Sequence, residues 1–185
     1  MTALVPTPGQ TVGPFFGYAL PFDHDNELVP LSHPSAVRLH GRVIDGEGRG
    51  VPDALLELWQ AGPDGTVVQQ PGSLRRDGWT FTGWGRASTD AEGGYVFTTL
   101  RPGASAPGKA AFFAVTIFAR GLLNRLFTRA YLPDDPDALS RDPLLAGLED
   151  GRRSTLLCGA DDSGYAFDVR LQGDDETVFL RYPGQ

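Results

Sequence analysis

A chain of 185 residues is long enough to bury one real core and suits a single domain with appended arms. Its 24 glycines, 15 prolines and 10% aromatic content argue for many turns and short strands, against a helical bundle. A formal charge of −7 disfavours nucleic acid and anionic membrane surfaces as partners, so an anionic ligand must be met by a local cation.

Residues 1–35 carry Pro6, Pro8, Pro14, Pro21, Pro30 and Pro34, spaced so that no ordinary helix or strand is expected. The same segment holds Val12, Phe15, Phe16, Tyr18, Leu20 and Phe22, more apolar surface than a disordered tail needs. It reads as an ordered arm lying on its own domain or on a neighbouring chain. Within it, TVGPFFGY joins a glycine that permits close backbone approach to a proline that fixes φ. Residues 36–45 alternate, with Val37, Leu39, Gly41 and Val43 on one face. A glycine-rich turn follows, and residues 51–60 (VPDALLELWQ) are expected to answer as the second strand of a hairpin.

Residues 61–85 form a long Gly/Pro-rich stretch with Trp79, Phe81 and Trp84, the kind of loop that carries function or an interface. A strand over 95–100 ends at Arg101-Pro102-Gly103. The central feature is AFFAVTIFARGLLNRLFTRAYLP, two strands over 112–119 and 126–132 joined by a short loop. Arg129 is the exception in that stretch, a cation among Phe127, Tyr131 and Leu132. Either it stands on the solvent face of an edge strand, or it meets an anion in a cleft, because an unpaired buried charge is costly. Asp135 and Pro136 suit a helix start, Pro143 divides the pattern, and two short helical turns are expected over 133–151. Final strands are expected over 165–171 and 176–182. The sum is an all-β, antiparallel sandwich of seven to eight short strands (residues 36–185), with a long N-terminal arm and short helical excursions.

Chemistry is sparse. There is no G-x-S-x-G elbow and no phosphate-binding glycine loop. His24, His33 and His40 form no paired ligand spacing, so a self-contained metal site is not expected. The one cysteine, Cys158, rules out an internal disulfide, fits a reducing compartment and reads as a small buried thiol. The start, MTALVPTPGQ, lacks a basic region followed by an apolar one. No apolar run approaches the roughly 20 residues that span a bilayer. A soluble, cytoplasmic protein is expected.

Several phrases then line up in order: TPGQTVGPFF, GRVIDGEGRGVPDALLELWQA, GWGRASTDAEGGY, LRPG, VTIFARGL, LFTRAYL and GDDETVFL. Together they resemble the intradiol ring-cleavage dioxygenases over nearly the whole chain. The resemblance implies a β-sandwich and, in the family's iron-binding chains, Fe(III) held by two tyrosines and an H-x-H pair. The H-x-H positions fall here on Phe112 and Ala114, one tyrosine position near residues 66–68 and the other at Ser105. All four donors are absent, so the likeness is to the chain type that leaves the iron to a sister subunit. It implies that the arm packs on that partner and that the active site lies at their boundary. By the same resemblance Arg129 and the arm turn of Thr11, Gly13, Pro14 and Phe15 bind substrate, here 3,4-dihydroxybenzoate cleaved by O2. Two rivals remain at this stage: a homomeric catechol or hydroxyquinol enzyme, which would need the ligands in this chain, and a sandwich that only binds or scaffolds.

Overall fold

The computed structural model describes residues 16–70, 77 and 79–182. In chain order the described elements are α1 (Phe16–Ala19), β1 (Ala36–Ile44), β2 (Leu55–Trp59), β3 (Trp84–Ser88), β4 (Gly94–Leu100), β5 (Phe112–Phe118) and β6 (Leu126–Tyr131). There follow α2 (Pro136–Arg141), α3 (Pro143–Ala146), α4 (Asp150–Ser154), β7 (Gly159–Asp161), β8 (Gly164–Ala166) and β9 (Val169–Arg170). One sheet runs β4-β1-β8-β7 with β9 also on β1; the other runs β3-β2-β5-β6. The expected β-sandwich is present, with β8 and β9 pairing parallel to β1.

The core follows from strand alternation. Phe113, Val115 and Ile117 of β5 and Leu56 and Leu58 of β2 point inward, meeting Leu39 and Val43 of β1 and Phe97 of β4. All of these side chains are essentially inaccessible to water. Gly41 shares that inner face, and it must lack a side chain because a Cβ there would stand 2.0 Å from the Phe167 carbonyl oxygen. That carbonyl accepts a 2.6 Å hydrogen bond from the hydroxyl of Tyr95, the residue opposite Gly41 in the β1–β4 ladder.

The hairpin expected from residues 36–60 does not form, because β1 and β2 belong to different sheets. Its turn is real: Asp45 N–H donates to the Arg49 carbonyl at 2.8 Å, and Ile44 and Gly50 form an isolated bridge. Beyond it, Pro52 has no N–H to give a ladder, and Asp53 adopts a left-handed φ of 57°. The chain therefore turns away and starts β2 only at Leu55, crossing from one layer to the other. The helical excursion has three short helices instead of the expected two turns. Asp135 caps α2 as expected, accepting from Ala138 N–H at 2.9 Å. Pro143 opens α3 behind the cap of Asp142. Residues 176–182 form no regular strand: their backbone groups bond in turn to Gly173, Arg152, Arg170, Thr155, Thr128 and Phe127, so no continuous ladder develops.

The arm's described part lies on its own domain. Leu20 C=O accepts from the Arg86 guanidinium at 2.7 Å, and Phe22 stacks on Trp84 with ring centroids 6.3 Å apart. The Leu28 and Thr98 backbones bond at 2.8 Å.

Candidate functional site

The outward face of the β3-β2-β5-β6 sheet is built by register. Trp84, Trp59, Ala114 and Arg129 stand directly opposite one another across the four strands. Residues opposed in an antiparallel pair share a face, and on β5 this face carries Phe112 and Ala114 while Phe113 and Val115 fill the core. Beside that row lies an apolar cavity of about 160 Å³. Its walls include Trp59, Val67, Val68, Ser105, Phe112 and Ala114.

The positions to which the family pattern assigns iron ligands are therefore neighbours in space. Strand alternation brings Phe112 and Ala114 to one face, the loop after β2 delivers Val67 and Val68, and the turn after β4 delivers Ser105. The present side chains do not fit a ferric ion. Phenyl, methyl and isopropyl groups have no donor, and one neutral serine hydroxyl does not replace phenolate and imidazole. Among the described residues, no group of three or more His, Cys, Asp or Glu is placed to hold a metal.

Arg129 brings a cation to this face beside Phe112. It is half-buried on the edge strand β6, with Cζ 4.3 Å from the centroid of the Phe112 ring. Its Nη1–H donates to the Tyr131 hydroxyl at 3.1 Å, and that hydroxyl donates to Asp142 Oδ1 at 3.1 Å. Burial works against the guanidinium's charge, but the Tyr131 hydrogen bond, helped by the nearby Asp142 carboxylate, raises its pKa. Burial pushes the Tyr131 hydroxyl up to about 12, so it stays protonated through ordinary pH. Among the described residues, Arg129 belongs to no ion pair. The cation is thus shelved on an aromatic ring, tethered at one edge, and left with charge for an incoming anion.

Sequence reasoning missed Asp142. Its buried carboxylate accepts from Ala110, Leu144 and Leu145 N–H groups as well as from Tyr131. The signal available was an Asp immediately before a Pro at a helix start, which marks a cap and says nothing of a tyrosine eleven positions earlier. Thr11, Gly13, Pro14 and Phe15 lie outside the described residues. His40 pairs with Asp161 at 3.2 Å on the other sheet, away from this face. Cys158 is buried, and its burial raises the thiol pKa to about 12.

Known proteins share this architecture and sequence. A profile of the dioxygenase family matches residues 11–173. The protocatechuate 3,4-dioxygenase alpha chain of Burkholderia cepacia is 38% identical, over 97% of this chain and 99% of its own length. The beta chain from the same organism is 34% identical over 87% of this chain and 76% of its own. The dioxygenase domain of a dioxygenase and carbohydrate-binding fusion from Streptomyces sp. SirexAA-E superposes with a TM-score of 0.60. That domain is 26% identical, with 94% of this chain and all of that one covered. Family profile, relatives and sandwich agree, and the chain belongs to the intradiol dioxygenase family.

Proposed function

We propose that this chain is the alpha subunit of a protocatechuate 3,4-dioxygenase, an enzyme of aromatic catabolism leading into the beta-ketoadipate pathway. It pairs with an iron-binding beta subunit, and the substrate pocket forms where the two meet. The reaction joins 3,4-dihydroxybenzoate and O2, opening the ring between the hydroxyl-bearing carbons to give 3-carboxy-cis,cis-muconate. Both oxygen atoms enter the product. The Fe(III) belongs to the beta subunit, since the residues here do not fit it.

The observation that carries this reading is the cavity of Val67, Val68, Ser105, Phe112 and Ala114, where the family's donor positions meet without a donor set. A chain with the family fold and no ligands needs a partner that has them, and relatives named alpha and beta chains match it over most of its length. In this reading the chain's own residues bind, orient and exclude water. Arg129 offsets the substrate carboxylate, and its planar fork suits two hydrogen bonds to that group. By the family resemblance, Thr11, Gly13, Pro14 and Phe15 contribute further contacts to the substrate.

Expression with and without a beta-type partner tests the proposal. The chain alone should be colourless and inactive, and the co-expressed complex coloured by its ferric centre and active. Colour in the chain alone would establish a homomeric enzyme, and no colour in either preparation would leave only a binding role.

A further inference from the structure

We infer that Tyr131 and Asp142 are positioning residues that set the direction of the Arg129 guanidinium; the inference rests on the reading of Arg129 as the contact for the substrate carboxylate. A long arginine side chain on an exposed edge strand samples many rotamers, and ordering it at each binding event weakens that binding. Here much of the ordering is built in. Tyr131 stands two residues along the same strand, so its hydroxyl and the guanidinium lie on one face. The hydroxyl has a single proton. Because it donates that proton to Asp142 at 3.1 Å, it presents a lone pair to Arg129 Nη1–H at 3.1 Å.

The tyrosine itself has no freedom to follow a wandering guanidinium. It is fully buried beneath the short helices, among Ala110, Leu139, Leu145, Leu156 and Val178. Its ring lies against Phe112, with centroids 5.4 Å apart at 50°. Asp142 is fixed more firmly still, being 1% exposed and bonded by three backbone N–H groups. The helical excursion thus serves the outer face of the sheet: capping α3 places a carboxylate that orients a hydroxyl that orients a cation. Phe112 supports the guanidinium from its face, and the tyrosine holds it from an edge. The remaining N–H groups stay available to an anion.

Tyr131→Phe keeps the ring and its packing and deletes only the hydroxyl. In the complex with the beta subunit, it should raise KM for 3,4-dihydroxybenzoate about three- to tenfold, the worth of one hydrogen bond, with kcat little changed. Competitive inhibition by catechol, the same diol ring without a carboxylate, should not move. In an Arg129→Ala background, Tyr131→Phe should add nothing. A normal KM in Tyr131→Phe beside a raised KM in Arg129→Ala would overturn the positioning role and leave the Arg129 reading standing. A normal KM in Arg129→Ala would overturn that reading and this inference together. Equal losses for the acid and for catechol, or additive losses in the double variant, would assign Tyr131 to packing and overturn the inference. Should Tyr131→Phe fail to assemble, Asp142→Ser, whose hydroxyl can still cap the Leu144 and Leu145 N–H groups but is too short to receive the Tyr131 proton, is judged by the same outcomes.

Discussion

Phe112 carries the guanidinium of Arg129, with Cζ 4.3 Å from the ring centroid. Phe112 is also one of the two positions where iron-binding relatives are expected to place an H-x-H ligand. A phenyl ring there offers no metal donor and presents a π face to a cation. One residue thus both lacks a metal donor and supports the arginine.

Phe112→Leu separates them, because leucine keeps much of the volume and has no quadrupole. A cation–π contact at a partly desolvated site is worth roughly 0.5–2 kcal/mol. The complex should therefore bind 3,4-dihydroxybenzoate more weakly by about two- to thirtyfold in KM, with iron content unchanged. An unaltered KM would mean that the ring does not order Arg129.

The vacated donor positions make a constructive test. Side chains two apart on a strand share a face, so Phe112→His with Ala114→His places two imidazoles side by side on β5. That double variant should bind Zn2+ in titration calorimetry, where the parent chain gives no heat. Adding Ser105→Tyr and Val67→Tyr should extend binding to Fe(III) and give a visible phenolate charge-transfer colour. A folded variant without metal affinity would show that cavity and ligand positions do not coincide.

Much of this was legible in the sequence because alternation reports directly which face a strand residue occupies. Phe112 and Ala114 against Phe113 and Val115 is such a case, and the Asp135-Pro136 helix start is another. The failures have a shared cause. Residues 51–60 have strand composition, yet Pro52 and the left-handed Asp53 interrupt it, and the chain enters the other sheet. Asp142 announces a cap, but only the packing of α2 and α3 over Tyr131 carries it to that hydroxyl. Periodicity encodes faces; it does not encode which elements from distant parts of the chain close over them.

Cys158 sets an alkaline limit on stability. Its ordinary value of 9.0 rises to about 12 in the fold, first because burial disfavours the thiolate and second because Asp134 is near. The folded state holds its proton more tightly than the unfolded state. The resulting stabilisation is complete below about pH 9 and is lost as pH climbs toward 12. Unfolding free energies measured across that range should fall, and Cys158→Ala should flatten the slope. Thiolate absorbance appearing near pH 9 in the native protein would contradict the burial account.

Two glycines of one strand-and-turn unit should respond to alanine for different reasons. At Gly41 the backbone is ordinary, but an added Cβ would lie 2.0 Å from the Phe167 carbonyl oxygen and 2.6 Å from its carbon. That oxygen cannot retreat cheaply. It accepts from the buried Tyr95 hydroxyl at 2.6 Å, and Phe167 N–H is bonded to the His40 carbonyl at 2.8 Å. Relief would break the parallel contact that joins the C-terminal strands to β1, at a cost of about 3 kcal/mol or more. At Gly48, φ is +81° and nothing lies within 4 Å of an added Cβ, so only torsional strain of about 1 kcal/mol is expected. Thermal unfolding of the two variants decides the matter: Gly41→Ala should lower Tm several times more than Gly48→Ala. Equal shifts would mean that the Phe167 segment yields freely, and that β1 does not anchor the C-terminal strands.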